Sequence, residues 1–317
     1  ISGVILGGII LKRRAQRLRE LGQDHAAIDK LLYAPAGETH PNWWILGGSL
    51  VFAIFTLTMG ISQVPFAQEI IFLGSMAIIL FLMYRLMLEL DPEMRNMLIG
   101  TAVIIFVFRA TPLPGPGATW FEIDVLGFDQ QFLSVLSLIA SLLTLVGMVV
   151  LRPMMARRSI AYVIVILTIA SAILALPNIG LYYGLHEWTA AHTGGVVDAR
   201  FIAVIDTMME SPLGQISMIP MLAWIAKNAP AHLKATFFAV MASFTNLALS
   251  ASSLGTRYLN EIYTVTREVR DRVDDIVTTA ADYSELGWVL ITVMLIGLLA
   301  PLLTVFIVQR SRLHTTQ

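Results

Sequence analysis

Stretches near residues 43–61, 68–90, 97–113, 130–151, 159–183, 200–226, 233–254 and 286–309 are long and almost wholly apolar. A helix needs about 20 such residues to cross the ~30 Å hydrocarbon core of a bilayer. Backbone N–H and C=O groups find no water there, so a spanning segment must pair them internally, as a helix does. This pattern predicts an all-α membrane protein with eight full spans. Composition points the same way: 56% of the residues are hydrophobic and only 14% are charged, whereas a soluble domain carries about 25% charged residues.

Orientation follows from the basic residues, which favour cytoplasmic loops. Placing residues 12–42 in the cytoplasm as a basic anchoring segment, and alternating from there, puts fifteen of the twenty-one Lys and Arg residues inside. The other six are Arg109, Arg200, Arg257, Arg267, Arg270 and Arg272. The same count returns the C-terminus to the cytoplasm. Residues 1–11, ISGVILGGIIL, are too short to span and precede KRRAQRLR, the reverse of a signal peptide's order. They read as the end of a truncated ninth helix, so an N-terminally incomplete chain is expected.

Several chemistries are excluded. There is no Cys, which removes disulfides, thiolate metal sites and Cys nucleophiles. The six His residues lack the i,i+4 pairing of a metal-binding helix, and no phosphate-cradling GxxxxGK[ST] loop is present. No metal, cofactor or enzymatic activity is expected, and a net charge of −1 gives no reason to expect nucleic acid.

The polar residues inside the spans are the candidates for function. In VIDTMMESPLGQISMIP, Asp206 and Glu210 lie four apart on one helix face, which Gly214, Ser217 and Met221 nearly continue. Charged groups in lipid are costly and tend to face a bundle interior or a wet cavity. Pro212 and Pro220 loosen the same helix. At 1.5 Å per residue, Arg109 lies ~12 Å below the outer boundary, between Asp206 at ~9 Å and Glu210 at ~15 Å. Arg109 is therefore the expected ion-pair partner. Thr236, Ser243, Asn246, Ser250 and Ser253 form a small polar stripe, expected to serve close helix packing. Residues 259–283 place Leu259, Ile262, Val265, Val269, Val273 and Ile276 three or four apart, which predicts an amphipathic helix at the outer rim.

From about residue 97 onward the chain resembles the folate-biopterin transporter family of the major facilitator superfamily. The resemblance rests on FVFRATPLPGPGATWFEIDVLGFDQQFLS, GQISMIPMLAWIAKNAP and LKATFFAVMASFTN. Lys234 departs from the family pattern, which places an acidic residue before Ala-Thr. The resemblance implies a major facilitator-type bundle in which 43–90 supplies the last two helices of the N-terminal half and 91–317 the six-helix C-terminal half. It also implies that Arg109 and Asp206/Glu210 fall on two cavity-lining helices, and it adds Gln215 to the candidates.

The expected function is a secondary active, proton-coupled transporter of an organic anion such as a folate or pterin. Arg109, Asp206, Glu210, Gln215 and Ser217 would bind substrate or protons. The expected setting is a bacterial inner membrane, with lipid, the anion and protons as partners and the protein acting as a monomer. A non-transporting assembly or pigment-delivery factor of the same superfamily is the alternative.

Overall fold

A computed structural model of the chain describes residues 12–13, 15–20, 43–62, 64–211, 234–271 and 276–313. It divides into two compact units, residues 1–43 and 44–317. In the first, the described residues 12–13 and 15–20 are helical. The truncated helix expected at 1–11 lies outside the described residues.

The remaining elements run α1 (Trp43–Ile61), α2 (Ala67–Met87), α3 (Pro92–Arg109), α4 (Pro116–Asp124), α5 (Gln130–Arg157), α6 (Ile160–Tyr182), α7 (Leu185–His192), α8 (Ala199–Glu210), α9 (Lys234–Ile262), β1 (Val269–Arg270), β2 (Val277–Thr279) and α10 (Leu286–Arg310). Local chemistry sets several starts. Asp129, Ser159 and Asp198 accept hydrogen bonds from the backbone N–H groups of Phe132, Tyr162 and Phe201, capping α5, α6 and α8. Pro92 and Pro116 open α3 and α4, where a missing N–H costs nothing.

Among the described residues, five segments are long and apolar enough to cross a membrane: Ala67–Met87, Gln130–Val150, Ile160–Tyr182, Thr236–Ile262 and Leu286–Arg310. Leu46–Ile61 is a shorter apolar helix. Apolar side chains face outward along α5, with Val149 74% exposed and Leu145 60%. Such a surface suits lipid rather than water.

Helix α3 packs against α6, α9 and α10, and α2 packs against α9. Their shared core holds Met83, Leu98, Ile104, Ile105, Ile164, Phe237 and Met241. In lipid this core gains little from the hydrophobic effect, because the tails are equally apolar; close packing supplies the attraction.

The loop after α3 shows why TPLPGPG ends that helix cleanly. Its prolines leave carbonyls without N–H partners nearby, and α9 supplies two donors and one acceptor to the loop. Ser252 Oγ donates to the Thr111 carbonyl at 2.6 Å, Asn260 Nδ2 donates to the Pro114 carbonyl at 3.2 Å, and Thr256 Oγ1 accepts from the Leu113 N–H at 2.8 Å. These three side chains stand four residues apart, one helical turn each. Gly115, at φ +81°, ends the run where a Cβ would meet Asn260 Nδ2 at 2.7 Å.

The segment 259–283 corrects the helical expectation. Helix α9 continues only to Ile262. Thr266 then bridges Asp282, and β1 pairs antiparallel with β2, Val269 opposite Thr279 and Arg270 opposite Val277. The three-to-four spacing of its apolar residues coexists with runs of Val, Ile and Thr, whose restricted χ1 favours extended backbone. Arg267 grips Asp124 of α4 through two hydrogen bonds, at 2.9 and 2.8 Å, and the Tyr283 hydroxyl donates to Asp124 Oδ2 at 2.6 Å. Arg267, and then Tyr283, hold the Asp124 carboxyl below its usual range. Burial and that carboxylate push the Tyr283 hydroxyl up to about 12.

Candidate functional site

Asp206 and Glu210 come from the last two turns of α8, and their four-residue spacing does place them one turn apart. Their surroundings differ. Asp206 is only 6% exposed, whereas Glu210, the last residue of the helix, opens onto a cleft. Facing Asp206 is Asn178 of α6, whose Nδ2 donates to Asp206 Oδ2 at 2.7 Å. The other carboxylate oxygen, Oδ1, is buried and has no hydrogen-bond partner. Pro177 precedes Asn178 and breaks the hydrogen-bond ladder of α6 at that turn.

Asn178 and Glu210 both line a cleft of about 320 Å³ between the end of α3, α6, α8 and α10. Thr111 and Ser171 add polar groups to it, and Gly297 and Met294 of α10 form part of its wall. A third carboxylate, Glu122 of α4, lies within electrostatic reach of Asp206, as does Glu210. Burial pushes the Glu122 carboxyl above its ordinary value.

Among the described residues, no ion pair joins Arg109 to Asp206 or Glu210. Arg109 is the half-buried last residue of α3, and its Nε is buried without a partner. It does not line the cleft, although Phe108 and Thr111 on either side do. The expected pairing is corrected for a geometric reason: similar depth does not bring groups to the same azimuth, and Asp206 has turned to Asn178 instead. Gln215 and Ser217 lie outside the described residues, as do Pro212 and Pro220.

Two members of this group went unremarked in the sequence. Asn178 carries a usable signal, a lone amide in the apolar run VILTIASAILALPNIG. Glu122 carries a weaker one, because it reads as an ordinary loop residue until α4 folds its turn back against the bundle. The small polar stripe of α9 also departs from its packing role. Ser243, Asn246, Ser250 and Ser253 are exposed and line a second cleft, of about 460 Å³, against α1 and α2. Close packing on α9 falls instead to Ser252, Thr256 and Asn260.

What this arrangement can do is bind a proton or a cation-like group at a buried carboxylate that communicates with a cleft. Among the described residues, no cluster of His, Asp and Glu is arranged to hold a metal ion.

Comparison with known proteins bears on the same region. The family model described as BT1 family matches residues 46–316. The chain is 27% identical over 146 residues to a protein named folate-biopterin transporter from Synechocystis sp. (strain ATCC 27184 / PCC 6803 / Kazusa). That alignment covers 46% of this chain and 28% of the relative, so the match spans less than a third of the relative's length. No solved structure matches the chain.

Proposed function

The chain belongs to the BT1 family, and from that membership we propose that it works in a secondary active transporter that couples protons to the movement of an organic anion. The anion belongs to the folate or pterin class, the class in the name of the Synechocystis relative. As a transporter it moves its substrate unchanged and is not an enzyme. Its setting is a bacterial inner membrane with the C-terminus in the cytoplasm, in keeping with the distribution of Lys and Arg.

The observation that carries this reading is Asp206. One of its oxygens accepts from Asn178 and the other has no partner. A buried carboxylate left half-satisfied is costly. A proton on the unpartnered oxygen removes the charge, which is the larger part of that cost. Asn178 holds the carboxyl in place in either state. Glu210, one turn on and open to the cleft, relays the proton between Asp206 and water. Glu210 and Glu122, both within electrostatic reach of Asp206, oppose a further negative charge beside them.

Arg109 plays a different part. Its positive charge stands at the end of α3 beside the cleft, with Nε free of any protein acceptor. An anionic substrate entering between Phe108 and Thr111 gives it a carboxylate to bind, and a guanidinium suits that group because its donors form a planar fork. Substrate charge and proton charge are thus handled on two elements that border one cleft, α3 and α8, which is what coupling requires.

The test uses the intact transporter in proteoliposomes. Asp206→Asn mimics the protonated carboxyl. It is expected to abolish accumulation driven by a pH gradient while preserving exchange of labelled folate across the membrane, and Glu210→Gln should slow accumulation. An Asp206→Asn variant that folds normally and still concentrates substrate with the wild-type pH dependence would refute the assignment.

A further inference from the structure

The cleft of about 460 Å³ between α1, α2 and α9 shares no residue with the carboxylate cleft. Its volume falls within the ~300–1,000 Å³ common for small-molecule sites. Its lining is chemically distinctive because none of its residues is charged, yet polar groups enter from three helices. Ser75 of α2 faces Ser243, Asn246, Ser250 and Ser253 of α9, with Phe52 of α1 and Phe72 of α2 alongside.

The hydrogen-bonding state of these groups points to a ligand. Ser75 is 3% exposed, so it is nine-tenths buried and more, and it lines the cleft without a hydrogen-bond partner in the protein. The amide of Asn246 and the hydroxyl of Ser250 likewise have no protein partner. Buried polar groups are ordinarily satisfied, so the buried, unpartnered Ser75 at the wall of this cleft points to a ligand, and the exposed Asn246 and Ser250 add polar groups free to meet it. A stripe meant only for packing would turn its hydroxyls back onto its own helix, as Ser243 and Ser253 do toward the Ala239 and Leu249 carbonyls.

We infer that this cleft binds the uncharged, planar heteroaromatic part of a solute, with Asn246, Ser250 and Ser75 hydrogen-bonding its edge and Phe52 and Phe72 packing on its faces. The amide of Asn246 offers one acceptor and two donors side by side, which matches a ring edge that alternates carbonyl, N–H and amino groups. Neutral lining selects a neutral moiety, because a charge there would be desolvated without a counter-ion. Two half-buried phenylalanines give apolar surface and ring-stacking partners to a flat ligand.

One end of the cleft is tied shut. Gln68, a lining residue, accepts from Arg257 Nη1 at 3.4 Å, and the Tyr258 hydroxyl donates to Glu69 Oε1 at 2.9 Å, so α2 and α9 are joined at that end. At the other end the cleft runs into a smaller cavity of about 260 Å³ that shares Phe52, Ile79 and Ser243 with it. A ligand therefore has a route along the α2–α9 seam. This inference deepens the transport reading by naming where the neutral part of the substrate sits, and it rests on that reading for the substrate's class.

Equilibrium binding tests it without requiring transport. The probe is pterin itself, a neutral bicyclic heteroaromatic whose fluorescence reports binding to the purified intact transporter. Wild-type protein is expected to bind pterin. Asn246→Leu should weaken binding about tenfold, Ser75→Ala about threefold, and Asn246→Gln should restore part of the loss. Arg267→Gln, in the clamp on Asp124 and in neither cleft, should leave pterin binding within about twofold. Wild-type protein that does not bind pterin overturns the inference, as does an Asn246→Leu variant, monodisperse by gel filtration, that binds as wild type does. If pterin binding depends on Asn246 while no variant of Asp206 alters proton-driven accumulation, the cleft stands and the proton assignment falls. If Asp206 controls accumulation while Asn246→Leu leaves pterin binding intact, the reverse holds.

Discussion

Replacing Asn178 by Leu isolates what the amide contributes to the buried carboxylate. Asp206 is 6% exposed, takes one hydrogen bond, at 2.7 Å, from Asn178, and has no partner for its second oxygen. Removing the donor leaves both oxygens unsatisfied. A hydrogen bond to a charged group contributes about 1.5–3 kcal/mol, so Asn178→Leu should destabilise the protein by about that much. Asp206→Leu alone should cost less, about 1 kcal/mol, because the amide of Asn178 already borders the cleft and can turn toward it. The double variant removes both polar groups and should recover most of the loss, giving a coupling energy of about 2 kcal/mol. Equilibrium unfolding in mixed detergent micelles, followed by tryptophan fluorescence, measures all four proteins. Additivity of the two single changes to within ~0.5 kcal/mol would show that the Asn178–Asp206 bond contributes nothing of its own.

Two further outcomes follow from the loop regions. Gly115→Ala should destabilise by about 1–3 kcal/mol, since φ +81° is strained for a residue with a Cβ and that Cβ would strike Asn260; unfolding at the wild-type denaturant concentration would refute it. Arg267→Gln should raise hydrogen exchange in the hairpin several-fold, with unchanged protection after the substitution as the refuting result. The clamp's pH window has two edges. Asp124 has a lowered pKa when folded, so its contribution is present above the ordinary carboxylate value and is lost as pH falls through the lowered one. Tyr283 has a raised one, so its contribution is present below the ordinary phenol value, ~10, and is lost as pH climbs through about 12. Hairpin protection factors in the wild type should accordingly stay flat between about pH 5 and pH 9.

Five of the eight expected spans stand among the described residues as helices long and apolar enough to cross a membrane, and they could be read because lipid imposes one rule, internal pairing of every backbone polar group, that leaves a long unbroken signature. Asp206 and Glu210 were legible for a related reason: a carboxylate in such a span needs an explanation. Their partners were not. Residue count fixes height along a helix but says nothing of rotation between helices, so Arg109 was expected at the height of the acids yet pairs with neither among the described residues, while Asn178 bonds Asp206. The hairpin at 266–282 was misread because one set of apolar positions satisfied two periodicities, and only the β-branched content could have separated them. On α9 the polar residues formed two stripes rather than one. Ser252, Thr256 and Asn260 answer to a loop that is distant in sequence, and no local pattern announces such a debt.

That α9 ladder has a mechanical consequence. Its bonds to Thr111, Leu113 and Pro114 fasten the turn after α3 to α9 at three successive levels, so the two cannot slide past one another by even a fraction of a helical turn without breaking all three. They form a single lever. In the transport cycle proposed above, flexure must therefore come from elsewhere, and α6 and α10 offer the places: Pro177, near the end of α6, and Pro301, within α10, each leave a carbonyl released from the helical ladder. Pro177 sits beside Asn178, so hinge motion of α6 there would draw the amide toward or away from Asp206. Shape and protonation would then change in the same stroke.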